Sequence, residues 1–394
     1  MADSKDTTIK TFEYKLRMNR KFKEVCEREL EHSRQIYNAA LQERIDCYKT
    51  TSKGLNYVEQ SRHLTEARTL PEVKSHIRTI QSDALERVDA AYKAFFRRVK
   101  EGSEKPGFPR FKGIYRYHTF SLKIEPQRAC PLKGDKLTIP SVGSCRVRLS
   151  RPLEGKVKQL RITRRADGWY VLLVSEIPRP KPLPPTGESA GIDVGIKSFA
   201  VLSTGEEIDN PRTLKKAEQK LKREQQRLSR KKRGSNRRGK QRAKVALRHL
   251  KVARTRKDFH HKASTYMVRR FDAIAVEDLS IKGLLKNPKL AKAIADLAWA
   301  AFFQMIEVKA ESAGRRFERV PAHFTSQDCS RCDHRQKMPL AIRVYECGNC
   351  GLVIDRDHNA AINISSRAGL ARITPVESHP ARGSRNGERL RFAG

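Results

Sequence analysis

Gly191-Ile192-Asp193-Val194-Gly195-Ile196-Lys197 is the stretch on which the fold of the second half of the chain turns. Apolar residues bracket one acid, an apolar run follows from Ser198 to Ser203, and Thr204-Gly205 supplies a turn. This pattern predicts a strand hairpin with a carboxylate near the crossing. Further along, Ile274-Ala275-Val276-Glu277-Asp278-Leu279 is another apolar strand that ends in acids. Ile354-Asp355-Arg356-Asp357-His358-Asn359 places acids again, just before the helix-like Ala360-Ala361-Ile362-Asn363-Ile364. One such acid is as well explained by a helix cap or an ion pair. Its recurrence in one strand-rich domain points to metal chemistry instead. Carboxylates are the hard ligands Mg²⁺ needs, and two ions about 3.5 to 4 Å apart serve phosphodiester hydrolysis. Clustered without a cation, like charges push one another towards protonation. Asp193, Glu277 and an acid of the Asp355/Asp357 pair are the candidate catalytic ligands, and the residues alone do not separate the last two.

Cys329-Ser330-Arg331-Cys332 and Cys347-Gly348-Asn349-Cys350 stand 14 residues apart. That spacing fits a closed tetrahedral site for one structural Zn²⁺, with each pair in a tight knuckle. A redox pair is the poorer reading, because thiol exchange has no need of two matched pairs. His323, His334 and His358 lie near but are surplus to four thiolates. Cys26, Cys47, Cys130 and Cys145 are scattered, which suits a reducing compartment and ordinary buried positions.

Lys and Arg number 83 against 44 Asp and Glu, a net charge of +39. A polyanion is the natural partner, and nucleic acid leads among polyanions. About half of that excess lies between Arg212 and Lys262, where 22 basic residues meet 3 acidic ones. Ala217, Leu221, Leu228 and then Val245, Leu247, Leu250 recur near helical spacing on either side of a Gly/Ser/Arg-rich break at 231–240. A basic helical hairpin over 212–262 follows. Lys222, Arg223, Arg227, Arg230, Arg237, Arg238, Arg242, Arg248 and Arg254 are its candidate phosphate contacts.

The first half alternates over Thr8 to Met18 as a half-buried strand does, with Phe12, Tyr14, Leu16 and Met18 on one side. Helical spacing then covers 20–50 and 71–100, and short strands follow at 118–123, 136–139, 145–149, 157–163 and 169–176. A barrel is the expected arrangement, with the first strand completing it and the helical lobe inserted. Pro178, Pro180, Pro182, Pro184 and Pro185 place a boundary near 178–188. No apolar run is long enough for a membrane span and no signal peptide is recognisable, so a cytoplasmic protein is expected.

With these residues in hand, the chain resembles TnpB, the transposon-encoded RNA-guided nuclease family related to the type V CRISPR effectors. The resemblance is carried by Gly191 to Lys197, Val276 to Gly283, Thr325 to Cys332, and Tyr345 to Ile364 with its DRD-x-N-A-A core. Gly107-Phe108-Pro109-Arg110-Phe111-Lys112 also matches, while Asp333 replaces the glycine usual after the first cysteine pair. The resemblance implies an α/β multi-domain protein with an RNase H-like RuvC nuclease domain, an inserted zinc ribbon, and a preceding β-barrel wedge domain that carries a helical recognition lobe. The implied segments are 1–18 (first wedge strand), 19–104 (helical lobe), 105–185 (wedge barrel), 186–328 and 352–368 (nuclease domain), 329–351 (ribbon) and 369–394 (disordered basic tail). Asp193, Glu277 and Asp357 would hold two Mg²⁺, and Cys329, Cys332, Cys347 and Cys350 one Zn²⁺. A guide RNA, target double-stranded DNA and its displaced strand are the implied partners, with a monomer favoured. The first 130 residues would read a flanking motif, with Tyr14, Phe22, Tyr57 and Phe111 as candidates for stacking. The implied activity is RNA-guided, Mg-dependent DNA cleavage beside that motif. The competing classes are a catalytically silent RNA-guided regulator and a strand-transfer transposase.

Overall fold

The computed structural model describes residues 6–124, 130–339, 342–370 and 388–392. It divides into two compact units, Met1–Arg179 and Pro180–Gly394, at the proline-rich boundary the sequence marks.

The first unit runs β1 (Thr7–Arg17), α1 (Arg20–Thr51), α2 (Tyr57–Ala67), α3 (Pro71–Lys74), α4 (Arg78–Lys100), β2 (Thr119–Lys123), β3 (Leu132–Lys133), β4 (Lys136–Ile139), β5 (Gly143–Arg148), β6 (Lys156–Arg165) and β7 (Gly168–Pro178). One sheet has the order β2-β6-β7-β1-β5-β4-β3, so the first strand sits inside the sheet and the helices are inserted after it. Among the described residues no pairing of β2 with β3 closes the ladder. The period-2 pattern sets the register: Phe12 faces Leu173, Tyr14 faces Val171 and Leu16 faces Val147, all inward. Asn19 caps α1 by accepting from the Phe22 amide at 2.8 Å, and Asn56 with Glu59 forms a capping box on α2.

Tyr14 and Phe22, two of the four stacking candidates, are corrected here: at 1% and 2% exposure they are core. Phe111 is 48% exposed and Tyr57 packs partly buried against the core. Cys26 and Cys145 are buried as expected, whereas Cys130 is exposed.

The second unit runs β8 (Ser189–Val194), β9 (Ser198–Leu202), β10 (Glu207–Asp209), α5 (Thr213–Ser229), α6 (Asn236–Arg270), β11 (Ala273–Glu277), α7 (Ile281–Leu284), α8 (Ala291–Leu297), α9 (Trp299–Ala313), β12 (Arg316–Val320), β13 (Val344–Glu346), β14 (Val353–Asp355), α10 (Arg356–Arg367) and β15 (Arg389–Leu390). Its six-stranded sheet has the order β12-β11-β8-β9-β10-β15. β8 pairs in parallel with β11 and antiparallel with β9, giving the predicted hairpin. The C-terminal half of α6 and α9 pack together over a core where Phe199 meets Phe259 and Phe302 edge-on at 4.7 and 4.8 Å. Burying each such ring contributes roughly 1.5–3 kcal/mol.

Arg389–Leu390 forms a short strand beside β10, so this end of the expected structureless tail is ordered; residues 371–387 lie outside the described residues. Among the described residues no helix is long and apolar enough to cross a membrane.

Candidate active site

β8 and β11 lie side by side and run the same way, with Ile192 opposite Val276. The next residues are Asp193 and Glu277, so two carboxylates leave adjacent parallel strands at the same level. The hairpin and the strand end, both read as acid-bearing, therefore converge through register alone.

The third acid arrives on α10, and a missing side chain lets it approach. Gly191 sits under this helix so tightly that a Cβ there would stand 2.2 Å from the Ala361 carbonyl oxygen and 2.5 Å from the Ser365 amide nitrogen. The near end of α10 is pinned where the His358 Nε2 meets the Ser203 carbonyl at 3.0 Å. Asp355 is the N-cap, its Oδ1 accepting from the Asp357 and His358 amides at 2.9 and 3.2 Å. Asp357, in the first turn, is touched by Arg343 at 3.5 Å and by Arg356 at 3.3 Å. The alternatives left open by the residues thus take different positions: one acid holds the helix and the other stands beside the arginines.

Electrostatics tie the group together. Burial raises the Asp193 pKa well above the usual carboxylate range, the charges of Glu277 and then Asp357 push the same way, and Arg356 opposes them. Asp193 keeps some solvent contact as a residue while its carboxyl lies deep among protein atoms. Glu277, 8% exposed, is also raised by burial, with the Thr325 hydroxyl bond and Arg367 holding it down. Burial and then Asp357 raise Asp355, against its capping bonds.

The cysteine pairs meet in a separate cluster. Cys329 and Cys350 sulfurs are 3.6 Å apart, Cys332 and Cys347 3.7 Å, and all four lie within 4.8 Å. A tetrahedron with zinc–sulfur bonds of ~2.3 Å has edges of about 3.8 Å, whereas a disulfide needs ~2.05 Å. The donor set is compatible with zinc. Both knuckles close the same way: Asp333 donates its amide to the Cys329 carbonyl at 2.9 Å, and Gly351 to that of Cys347 at 3.0 Å. Both residues are left-handed, φ 59° and 70°, and an aspartate tolerates that conformation better than most side chains. Among the described residues no other group of three or more His, Cys, Asp or Glu side chains brings its ligand atoms together in this way.

α5 and α6 form the basic hairpin, but the break is shorter than the sequence implies, because Ser235 caps α6 from Asn236 onwards. Lys222, Arg223, Arg227, Arg230, Arg237, Arg242, Arg248 and Arg254 are exposed along it. Arg238 is the exception. Its Nη1 donates to the Leu228 and Lys231 carbonyls at 2.9 and 2.7 Å, ending α5 and bracing the break.

The family model described as "Probable transposase" (OrfB_IS605) matches residues 172–288, "Cas12f1-like, TNB domain" matches 299–364, and "Helix-turn-helix domain" matches 8–53. A Streptomyces pristinaespiralis protein named "Putative RNA-guided DNA endonuclease" is 34% identical over 347 residues, 86% of this chain and 84% of its own length. The chain belongs to the OrfB_IS605, TnpB-type family. Within this family, the Escherichia coli K12 protein InsQ, carrying the same description, is 26% identical over 84% of this chain and 85% of its own. The solved mini-RNA-guided endonuclease CRISPR-Cas_phi3 aligns at a TM-score of 0.46 and 10% identity over 94% of each chain. The segment matched as helix-turn-helix is, in this family member, β1 followed by the unbroken α1.

Several residues of the site escaped the sequence reading. Thr325 donates to Glu277 Oε1, and the buried amides Asn359 and Asn363, one turn apart on α10, hold the chain around it. Asn363 donates to the Thr325 and Asp328 carbonyls at 2.8 and 2.7 Å. Asn359 donates to Asp328 at 2.8 Å and accepts from the Ser330 amide at 3.0 Å. Two amides at i, i+4 on an otherwise apolar helix face were the available signal.

Proposed function

We propose that this chain is an RNA-guided, Mg²⁺-dependent DNA endonuclease whose catalytic ligands are Asp193, Glu277 and Asp357. The observation that carries the reading is geometric: Asp193 and Glu277 leave the parallel strands β8 and β11 at the same level, and α10, which packs on Gly191, carries Asp357 in its first turn. Burial first, and then the charges of Glu277 and Asp357, disfavour ionisation of the Asp193 carboxyl. Hard oxygen donors that crowd one another, with Arg343, Arg356 and Arg367 as opposing cations, fit a divalent metal. Mg²⁺ bound there would supply activation of water and neutralisation of the leaving oxygen. The residues themselves position and tune. Thr325 donates to one oxygen of Glu277, Asp355 fixes the first turn of α10, and Arg343 and Arg356 hold Asp357.

Strand order supports an RNase H-like reading of this unit: an antiparallel β8-β9-β10 followed by parallel β11 and β12 on the other side of β8. The four cysteines would hold one structural Zn²⁺, and the exposed cations of α5 and α6 would follow a phosphate backbone. RNA guidance follows from family membership and the names its relatives carry.

The test is to purify the chain with its associated RNA, sequence that RNA, and add Mg²⁺ with DNA matching the RNA's 3′ segment beside an unmatched control. Cleavage of the matched DNA alone is expected, and Asp193→Ala is expected to abolish it while binding persists. Binding without cutting by the wild type would make the chain a regulator. Strand transfer without RNA would make it a transposase.

A further inference from the structure

Gly107-Phe108-Pro109-Arg110-Phe111-Lys112 belongs to a groove in the first unit, to which neither the carboxylate group nor the cysteine cluster contributes a residue. The loop lacks regular structure but is held firmly. Arg98 donates to the Pro106 carbonyl and, at 3.0 Å, to that of Gly107. Asn38 accepts from the Lys112 amide at 2.8 Å and donates to the Lys112 carbonyl at 3.0 Å, which Arg34 also reaches at 3.1 Å.

On this fixed backbone the rings face outward. Phe108 packs edge-on against Tyr92 and Phe95 at 5.6 and 5.3 Å yet stays 48% exposed. The adjoining groove holds about 450 Å³, with Tyr37, Ala91 and Phe108 among its apolar lining and Arg98, Arg110 and Lys112 as its cations; no carboxylate lines it. The Lys112 ammonium lies over the Tyr37 ring at 5.4 Å. Arg110 is exposed, and among the described residues it makes no hydrogen bond or ion pair.

Exposed rings on an ordered loop beside uncompensated cations suit a ligand that offers a flat π face and an anion together. Inorganic phosphate would leave the rings wet, and duplex DNA keeps its base faces stacked. We infer that this groove is a binding site for one unpaired nucleotide of a single strand, its base against Phe108 and its phosphate at Arg110 and Lys112. The inference rests on the chain handling nucleic acid, as the proposed function requires, and not on its cutting any.

The experiment irradiates the full-length protein with short single strands carrying 5-iodouracil, as RNA, as DNA and, for comparison, as duplex, and maps the adducts by peptide mass spectrometry. An adduct within residues 106–112 is expected from a single strand, and whether RNA or DNA gives it identifies the strand served. Phe108→Ala is expected to remove that adduct and weaken single-strand binding about tenfold, while Phe108→Trp, which restores a stacking ring, keeps both. Arg110→Ser is expected to lower the salt slope of single-strand binding by about 0.7, one phosphate contact. Circular dichroism melting controls for folding. Adducts confined to other peptides, an unchanged affinity in Phe108→Ala, or equal labelling by duplex would overturn the site. A chain that cuts DNA without this adduct loses only the groove; one that forms the adduct without cutting loses only the nuclease reading.

Discussion

Gly191→Ala tests how the third carboxylate reaches the other two. The added Cβ would meet the Ala361 oxygen at 2.2 Å and the Ser365 nitrogen at 2.5 Å, and since both are backbone atoms no rotamer change relieves the clash. Ordinary contact begins near 3.4 Å, so α10 must retreat by about 1 Å or β8 must bend. Overpacking of this kind costs roughly 1–3 kcal/mol, equivalent to a fall in melting temperature of about 4–8 °C at ~2 kcal/mol in a unit of this size. The larger effect is on chemistry. Asp357 sits in the first turn of α10, and a displacement of ~1 Å in a reacting constellation can cost on the order of a hundredfold in rate. Single-turnover cleavage of matched DNA in saturating Mg²⁺ measures this, with binding followed separately by gel shift. The expected result is about a hundredfold slower cutting with binding within about twofold of wild type. A folded variant that melts and cuts like the wild type would refute the claim that close approach of β8 and α10 sets the site.

Four further outcomes follow. Thr325→Val removes a hydrogen bond that favours the ionised Glu277, so its pKa rises further and the acid limb of the cleavage–pH profile moves to higher pH; an unmoved limb would remove Thr325 from the site. His260, 2% exposed, has its pKa lowered by burial to about 4, so the unfolded chain takes the proton first. The associated stability is full above about pH 6.5 and is lost as pH falls, by about 2 kcal/mol near pH 5. His260→Gln is expected to flatten this dependence in urea titrations, and an equally steep acid loss would count against it. Arg230→Ser is expected to lower the salt slope of duplex binding by about 0.9, whereas Arg238→Ser is expected to destabilise the α5–α6 tip, read by hydrogen exchange; the reverse pattern would sink the assignment. Cys347→Ser is expected to lose one equivalent of bound zinc by elemental analysis, and full retention would contradict the tetrahedral cluster.

Much of this architecture was legible because its signals are periodic or steric. The alternation over Phe12, Tyr14 and Leu16 marked a strand that the structure places inside the sheet. The expected strands at 118–123, 136–139 and 157–163 fall on Thr119–Lys123, Lys136–Ile139 and Lys156–Arg165. The helical pattern over 71–100 is divided instead, because the chain turns between α3 and α4, and α2 went unanticipated, its cap formed by Asn56 with Glu59. The resemblance put the motif-reading aromatics in the first 130 residues and so made Tyr14 and Phe22 stacking candidates, but the period-2 and helical patterns that place them on the inward faces of β1 and α1 already mark them as core. Charge counts likewise give no sign that Arg238 also ends α5 through its Nη1.

What the sequence could not carry is the wiring between the cysteine cluster and the acids. Glu277 is restrained by Thr325, whose carbonyl is held by Asn363. Asn363 also binds Asp328, and Asp328 precedes Cys329 and is gripped through its carboxylate by Arg335 at 2.6 Å and Arg367 at 2.8 Å. Each link is one hydrogen bond, worth about 1 kcal/mol net for neutral pairs and more for the charged ones. The chain matters because α10 supplies both Asp357 and the amides that anchor the first knuckle. Disorder spreading from an emptied cysteine cluster would therefore reach Glu277 through Thr325 and Asp357 through the helix itself. The cysteines lie outside the acid group, yet they share its scaffold. Loss of zinc is thus expected to slow cutting by misplacing ligands, which predicts that raised Mg²⁺ partly restores the rate in Cys347→Ser and restores nothing in Asp193→Ala.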